Sequence, residues 1–180
     1  MNMPRPEHIE YVWDRFVRLF HWGLVSAIVL NLFILEEGDP PHQWSGYIAF
    51  ALIVMRIVWG FKGSQYAQFR EFWPRTSEIK KELFGLLHAS PIVKMGHSAM
   101  GALMMISLVF NVILLAASGY AMGTDLFFGE EWVEQLHALL ANALMVLSAI
   151  HVLAALIIGR LEGVNLIAAM INGYKRFKSD

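Results

Sequence analysis

Two histidines fourteen residues apart, His137 and His151, stand inside one long apolar run, and His21, His42 and His97 lie in or at the edge of other such runs. An ionisable side chain in an apolar span is expensive and marks a site. With seven histidines and no cysteine, imidazole is the metal ligand present in numbers. Disulfides, cysteine-held iron–sulfur clusters and covalent attachment through C-x-x-C-H are excluded. On a helix, fourteen residues are about four turns, rise about 21 Å and leave the two rings about 40° apart around the axis. His137 and His151 therefore face the same way at two depths. Zinc fits this poorly, because it takes tetrahedral sets of closer spacing.

These histidines need elements to position them. Of 180 residues, 57% are hydrophobic and 16% charged, and mean hydropathy is +0.49. A soluble fold of this size could not hide that much apolar surface, so the surplus faces lipid. A net charge of −1 excludes a generally basic nucleic-acid binder. Four runs are long enough to span a bilayer, at about 16–35, 44–61, 96–117 and 132–158. Only helices satisfy the backbone there without closing a barrel. The expected fold is all-α: one integral membrane domain over 1–180, a four-helix up-and-down bundle. The polar N-terminus lacks the pattern of a signal peptide, and the first run reads as retained.

Orientation follows from charge. All 14 Lys and Arg fall before or at the start of span one, at or after the end of span two, in the loop 62–94, or after span four. The loops around 36–41 and 118–131 instead carry Glu36, Glu37, Asp39, Asp125, Glu130 and Glu131. Both termini are expected in the cytoplasm. In the long loop, Ile79, Leu83, Leu86 and Leu87 follow Ser77 and Glu78 at helical spacing and predict a short interfacial helix. A second is predicted over 164–177, where Lys175 and Arg176 suit anionic headgroups. Trp13, Trp22, Trp44, Trp59 and Trp132 near span ends read as interfacial aromatics.

Depth then pairs the histidines. His42 and His137 share the outer level; His21 and His151 share the inner level. A flat iron porphyrin with two axial imidazoles needs one from each side, on facing helices, and bundle interiors are where such sites are built. Two levels predict two non-covalent b-type haems stacked along the membrane normal. Gly23, Ser26, Gly46, Ala141, Ala143, Ser148 and Ala149 offer room for a macrocycle or, equally, for close helix contact. His97, at the cytoplasmic edge of span three, is open between replacing an inner ligand, bonding a propionate or quinone, and capping a helix. Arg15, Arg18 and Arg56 lie near the inner level, where pairing with a propionate competes with snorkelling to headgroups. Outer propionates would meet water, Tyr47, Tyr120 or Trp44. His8 and His88 are assigned nothing.

The segments VWDRFVRLFHW, HQWSGY, RIVWGFKGSQYAQF, GHSAMGALM and EQLHALLANALMVLSAIHV resemble the bacterial cytochrome b561 and nickel–iron-hydrogenase cytochrome b subunit family, over Val12 to Lys175. The resemblance implies a di-haem core with His21, His42, His137 and His151 as axial ligands, located in the bacterial inner membrane. It further implies electron exchange between the quinone pool and a redox partner. Hydrogenase-type members have an additional helix, so a shorter, stand-alone or cytochrome-c-linked branch is implied. With both axial positions filled no open iron site remains, and no catalytic side chain is assigned. The expected function is a quinol–haem–haem relay to a periplasmic partner such as a c-type cytochrome, which the acidic outer loops would suit. A superoxide-oxidising quinone reductase is the alternative with the same haems, though acidic loops repel that anion. A His-lined ion or metal transporter without haem is the alternative of another class. Homo-oligomerisation is open.

Overall fold

The computed structural model describes residues 8–88 and 94–177. Arg5 and Lys178, counted in the charge asymmetry, and 89–93 of the long loop lie outside them. In chain order the elements are strand β1 (His8–Tyr11), α1 (Arg15–Phe33), α2 (Pro40–Lys62), a 3-10 turn (Gln65–Ala67), α3 (Phe69–Phe72), α4 (Thr76–Leu87), α5 (Ala99–Met122), α6 (Glu131–Leu161), α7 (Leu166–Asn172) and strand β2 (Tyr174–Phe177). Four helices, α1, α2, α5 and α6, are long and apolar enough to cross a membrane. The protein is an all-α integral membrane protein. Its helix bounds differ from the expected spans by a few residues, and the largest shift is at the end of α5, which runs on to Met122.

Local chemistry sets these bounds. Gly38 turns the chain at φ +82°, and Pro40 then begins α2 at the one helical position that needs no N–H. Asp14 caps α1, its Oδ1 accepting from the Val17 amide at 2.8 Å. Acidic Glu131 and Glu134 open α6 and Arg160 closes it, each sign matching its end of the helix dipole. Gly163, at φ +68°, ends α6.

The chain divides into two compact units. One comprises Leu19–Val58 and Met105–Ala149, the other the segments up to Arg18, Trp59–Met104 and from Ile150 onward. In the first, Ala27 of α1, Ala49 and Ile53 of α2, Val112 of α5 and Leu144 of α6 form one buried cluster. Each of the four helices contributes, so this unit is itself a four-helix core. The small residues at Ala27 and Ala49 let the backbones approach, as membrane helices require.

The other unit is built around Val12, Trp13, Val17, Ala67 and Ala169. Trp13 is only 6% exposed and is a core residue rather than an interfacial one. The Trp59 Nε1 donates to the Asp14 carboxylate at 3.0 Å, and the Ser64 hydroxyl donates to the same group. Burial pushes the Asp14 carboxyl up, but the bonds from Ser64, Val17 and Trp59 outweigh it and hold it below its ordinary value. Trp22, Trp44 and Trp132 are exposed, as an aromatic belt requires.

The long loop does contain the predicted helix, but its buried edge is unexpected. Glu82 of α4 is 5% exposed and accepts from the Ala99 and Met100 amides at 2.8 and 2.9 Å. Ser98 Oγ accepts from Gly101 at 3.0 Å. Together they satisfy three donors that the start of α5 would otherwise leave open. Lys94 pairs with Glu78 and Glu82, and Leu83 and Phe84 stay exposed.

A helix was expected over 164–177. Instead α7 stops at Asn172, because Gly173 adopts φ +93°, and Tyr174–Phe177 pairs antiparallel with His8–Tyr11. No strand is expected from the sequence, which has no strand-like alternation. Gly173 O accepts from Val12 and Trp13 amides at 2.9 and 3.1 Å. Lys175, placed at headgroups by the sequence reading, is instead buried at 4% exposure, its Nζ donating to the Lys94 and Gly96 carbonyls. A Cβ at Gly173 would stand 2.8 Å from Trp13 O and 2.6 Å from the Tyr11 ring. Gly173→Ala is therefore expected to lose more than the about 1–2 kcal/mol of a left-handed non-glycine residue. Thermal unfolding followed by far-UV circular dichroism checks this; an unchanged midpoint would refute it.

Candidate functional site

His42 lies in the first turn of α2, where Pro40 starts the helix, and His137 lies two turns into α6. Both are half-buried. Their ring centroids are 6.3 Å apart, with planes inclined at 62°. Both residues and their surroundings belong to the four-helix unit.

The α5 helix holds one edge of His137. Ser118, 6% exposed, has its Oγ 2.9 Å from His137 Nδ1. A Cβ at Gly119 would stand 3.2 Å from Cε1 and 3.6 Å from Nδ1 of the same ring. Anything larger than glycine would crowd the imidazole. His42 Nδ1 is buried and has no hydrogen-bond partner among the described residues. One turn beyond His42, a Cβ at Gly46 would have Asn31 Nδ2 as its neighbour, at 3.8 Å.

These features suit a b-type haem. Metal–imidazole bonds of about 2 Å, with about 1 Å more to each ring centre, put two axial imidazoles about 6 Å apart, centre to centre. The observed separation matches. The glycine against which the His137 ring lies points the same way. Among the described residues there is no group of three or more His, Cys, Asp or Glu that could hold a metal ion, so what the site offers is an imidazole pair.

The other expected residues each have surroundings of their own. His21 is half-buried on α1, edge-on to Trp22 with centroids 5.2 Å apart. His151 is half-buried on α6. His97 precedes α5 by two residues and meets Trp13 edge-on at 4.7 Å. Arg18 Nη1 donates to the Ile171 carbonyl at 2.6 Å, tying α1 to the end of α7. Arg56 is 2% exposed, deeply buried for a guanidinium, with Nη2 3.9 Å from Met105 Sδ. Sequence reasoning missed Ser118, Gly119 and the buried amides Asn31 and Asn111. The Oδ1 atoms of those two amides have no hydrogen-bond partner among the described residues. The available signal was a serine and two asparagines in lipid-spanning helices, where polar side chains tend to bond across helices.

Four apolar spans and facing imidazoles inside a helical core are the features of a membrane cytochrome b. The sequence matches prokaryotic cytochrome b561 over residues 12–173, and the chain belongs to that family. It is 23% identical to a probable Ni/Fe-hydrogenase B-type cytochrome subunit of Azotobacter vinelandii, covering 98% of this chain and 92% of that one. It is 26% identical to a protein of the same name from Rhodobacter capsulatus, covering 94% and 82%. No solved structure matches it. The protein is thus a multi-pass bacterial inner-membrane b-type cytochrome that functions in electron transport.

Proposed function

We propose that the chain carries electrons across the bilayer between quinone and a redox protein on its outer face, using two haems b. His42 and His137 hold the outer one and His21 and His151 the inner one. The observation that carries this reading is the 6.3 Å separation of the His42 and His137 rings. Held by both imidazoles, a haem would supply one-electron chemistry, since no position at the iron would be left for a substrate. The inner pair follows from depth: His151 lies about 21 Å along the helix from His137, and His21 lies near the opposite end of α1 from the acidic loop.

The remaining residues have roles of their own. Arg56 supplies a buried positive charge suited to a haem propionate. Arg18 has one donor engaged by Ile171 and others that suit the same group. His97 stands at the cytoplasmic end of α5, where it suits a propionate or a quinone carbonyl. The Lys and Arg distribution puts both termini in the cytoplasm. Glu36, Glu37, Asp39, Asp125, Glu130 and Glu131 then form an acidic outer face that favours a basic partner surface. A c-type cytochrome offers one. The names of the relatives add a nickel–iron hydrogenase to the partners that merit testing.

The test is the purified protein in lipid nanodiscs. Two haems b per chain by pyridine haemochrome, and reduction by a quinol in stopped-flow absorbance, are expected. A colourless protein, or one with a single haem, would overturn the reading. Faster reduction by superoxide than by quinol would move the chain to the superoxide-oxidising alternative.

A further inference from the structure

We infer that Ser118 is a positioning residue: it fixes which nitrogen of His137 faces the metal and thereby lowers the reduction potential of the outer haem. The inference rests on His137 being an axial ligand, as proposed above.

The hydroxyl of Ser118 touches two groups. Its Oγ lies 3.1 Å from the Leu115 carbonyl and 2.9 Å from His137 Nδ1. A hydroxyl has one proton to give and two lone pairs to offer, whereas a carbonyl can only accept. With that proton given to the Leu115 carbonyl, the ring contact is one in which Ser118 Oγ accepts from Nδ1–H. That leaves His137 in the Nδ1–H form, with its Nε2 lone pair available to a metal. A ligating histidine is commonly held in this way through its other nitrogen, which also makes it a stronger electron donor. The bond to Leu115 polarises the hydroxyl further. Ser118 is buried, so water does not compete.

The adjacent residue supports the same placement. Because Gly119 has no Cβ, the Nδ1–Cε1 edge of the ring lies close against α5, and the serine one position earlier reaches Nδ1 without a linker. His42, across the pair, has no equivalent: its Nδ1 is without a hydrogen-bond partner among the described residues. The two imidazoles are thus supported unequally, and α5 supports His137 through Ser118 and Gly119. A stronger donor favours the oxidised metal, so removing the acceptor should raise the potential.

Optical redox titration of the holoprotein in nanodiscs, with S118A, S118C and S118T, tests this. In S118A one midpoint should rise by roughly three- to tenfold in the reduced-to-oxidised ratio at fixed ambient potential, about 30–60 mV at 59 mV per tenfold. The other midpoint should stay where it is. S118T, which keeps the hydroxyl, should restore the parent value. A purely structural role would predict haem loss or broadening in S118A, with no displaced midpoint. Unchanged midpoints in an S118A protein holding two haems would overturn the inference and leave the ligand assignment intact. If S118A loses its outer haem, S118C makes the same comparison with a weak acceptor, and a parent-like midpoint there would overturn it. Retention of both haems in H137A would instead sink the ligand assignment on which the inference stands.

Discussion

If the proposed two-haem arrangement holds, replacing His137 with alanine is expected to halve the haem content, from two haems b per chain to one, and to abolish one redox transition as a whole. The reason is stoichiometric. A haem held between His42 and His137 would lose one of its two protein bonds, and His42 could not supply the missing one from its own side. The His151→Ala protein should also fall to one haem, but with the complementary transition lost. The two single variants should therefore have reduced-minus-oxidised spectra that sum to that of the parent. Pyridine haemochrome and difference spectroscopy read this directly. If H137A and H151A lose the same spectral component, the two histidines serve one haem and the depth pairing fails.

The second large effect is on stability. Glu82→Ala should destabilise the protein by about 2–4 kcal/mol, since each buried backbone donor left unpaired costs about 1–3 kcal/mol. The Ala99 and Met100 amides both depend on this one carboxylate. Lys94, 3.2 Å from the same group, would lose one of its two anionic neighbours. For a chain of this length, the midpoint should fall by roughly 5–15 °C. Glu82→Gln keeps an acceptor oxygen and should recover part of the loss. A midpoint for E82A within a degree of the parent would show that the contact does not hold α5 in place.

The elements carried by local pattern were readable from residues alone. Runs of apolar residues fix the four spans, and helical period puts His137 and His151 on one face. What escaped has a physical cause in each case. Ser118 and Gly119 were read as the start of a loop because the apolar run fades at Ala117, whereas backbone hydrogen bonding carries α5 to Met122. Glu82 carries no signal of its own in the amphipathic pattern of the long loop. Its role is set by the start of another helix 17 residues later, and no periodicity announces that. Trp13 fitted the aromatic-belt rule by position, yet it packs with Ala67 and Ala169. Lys175 and Arg176 suggested an interfacial helix, and the left-handed Gly173 that breaks it is recognisable as a stop only with its geometry in view. Ser118, Glu82 and Trp13 take their roles from partners distant in sequence, where single-segment patterns carry no information.

The pairing of His8–Tyr11 with Tyr174–Phe177 also bears on biogenesis. A ribosome delivers the first strand long before the second, and contacts so far apart in sequence form late. The start of α1 is therefore made well before the carbonyl of Gly173 that receives the Val12 and Trp13 amides. The clasp closes after the last span has been released. A nascent chain stalled before Gly173 should leave its leading segment open to added protease, and one released in full should protect it.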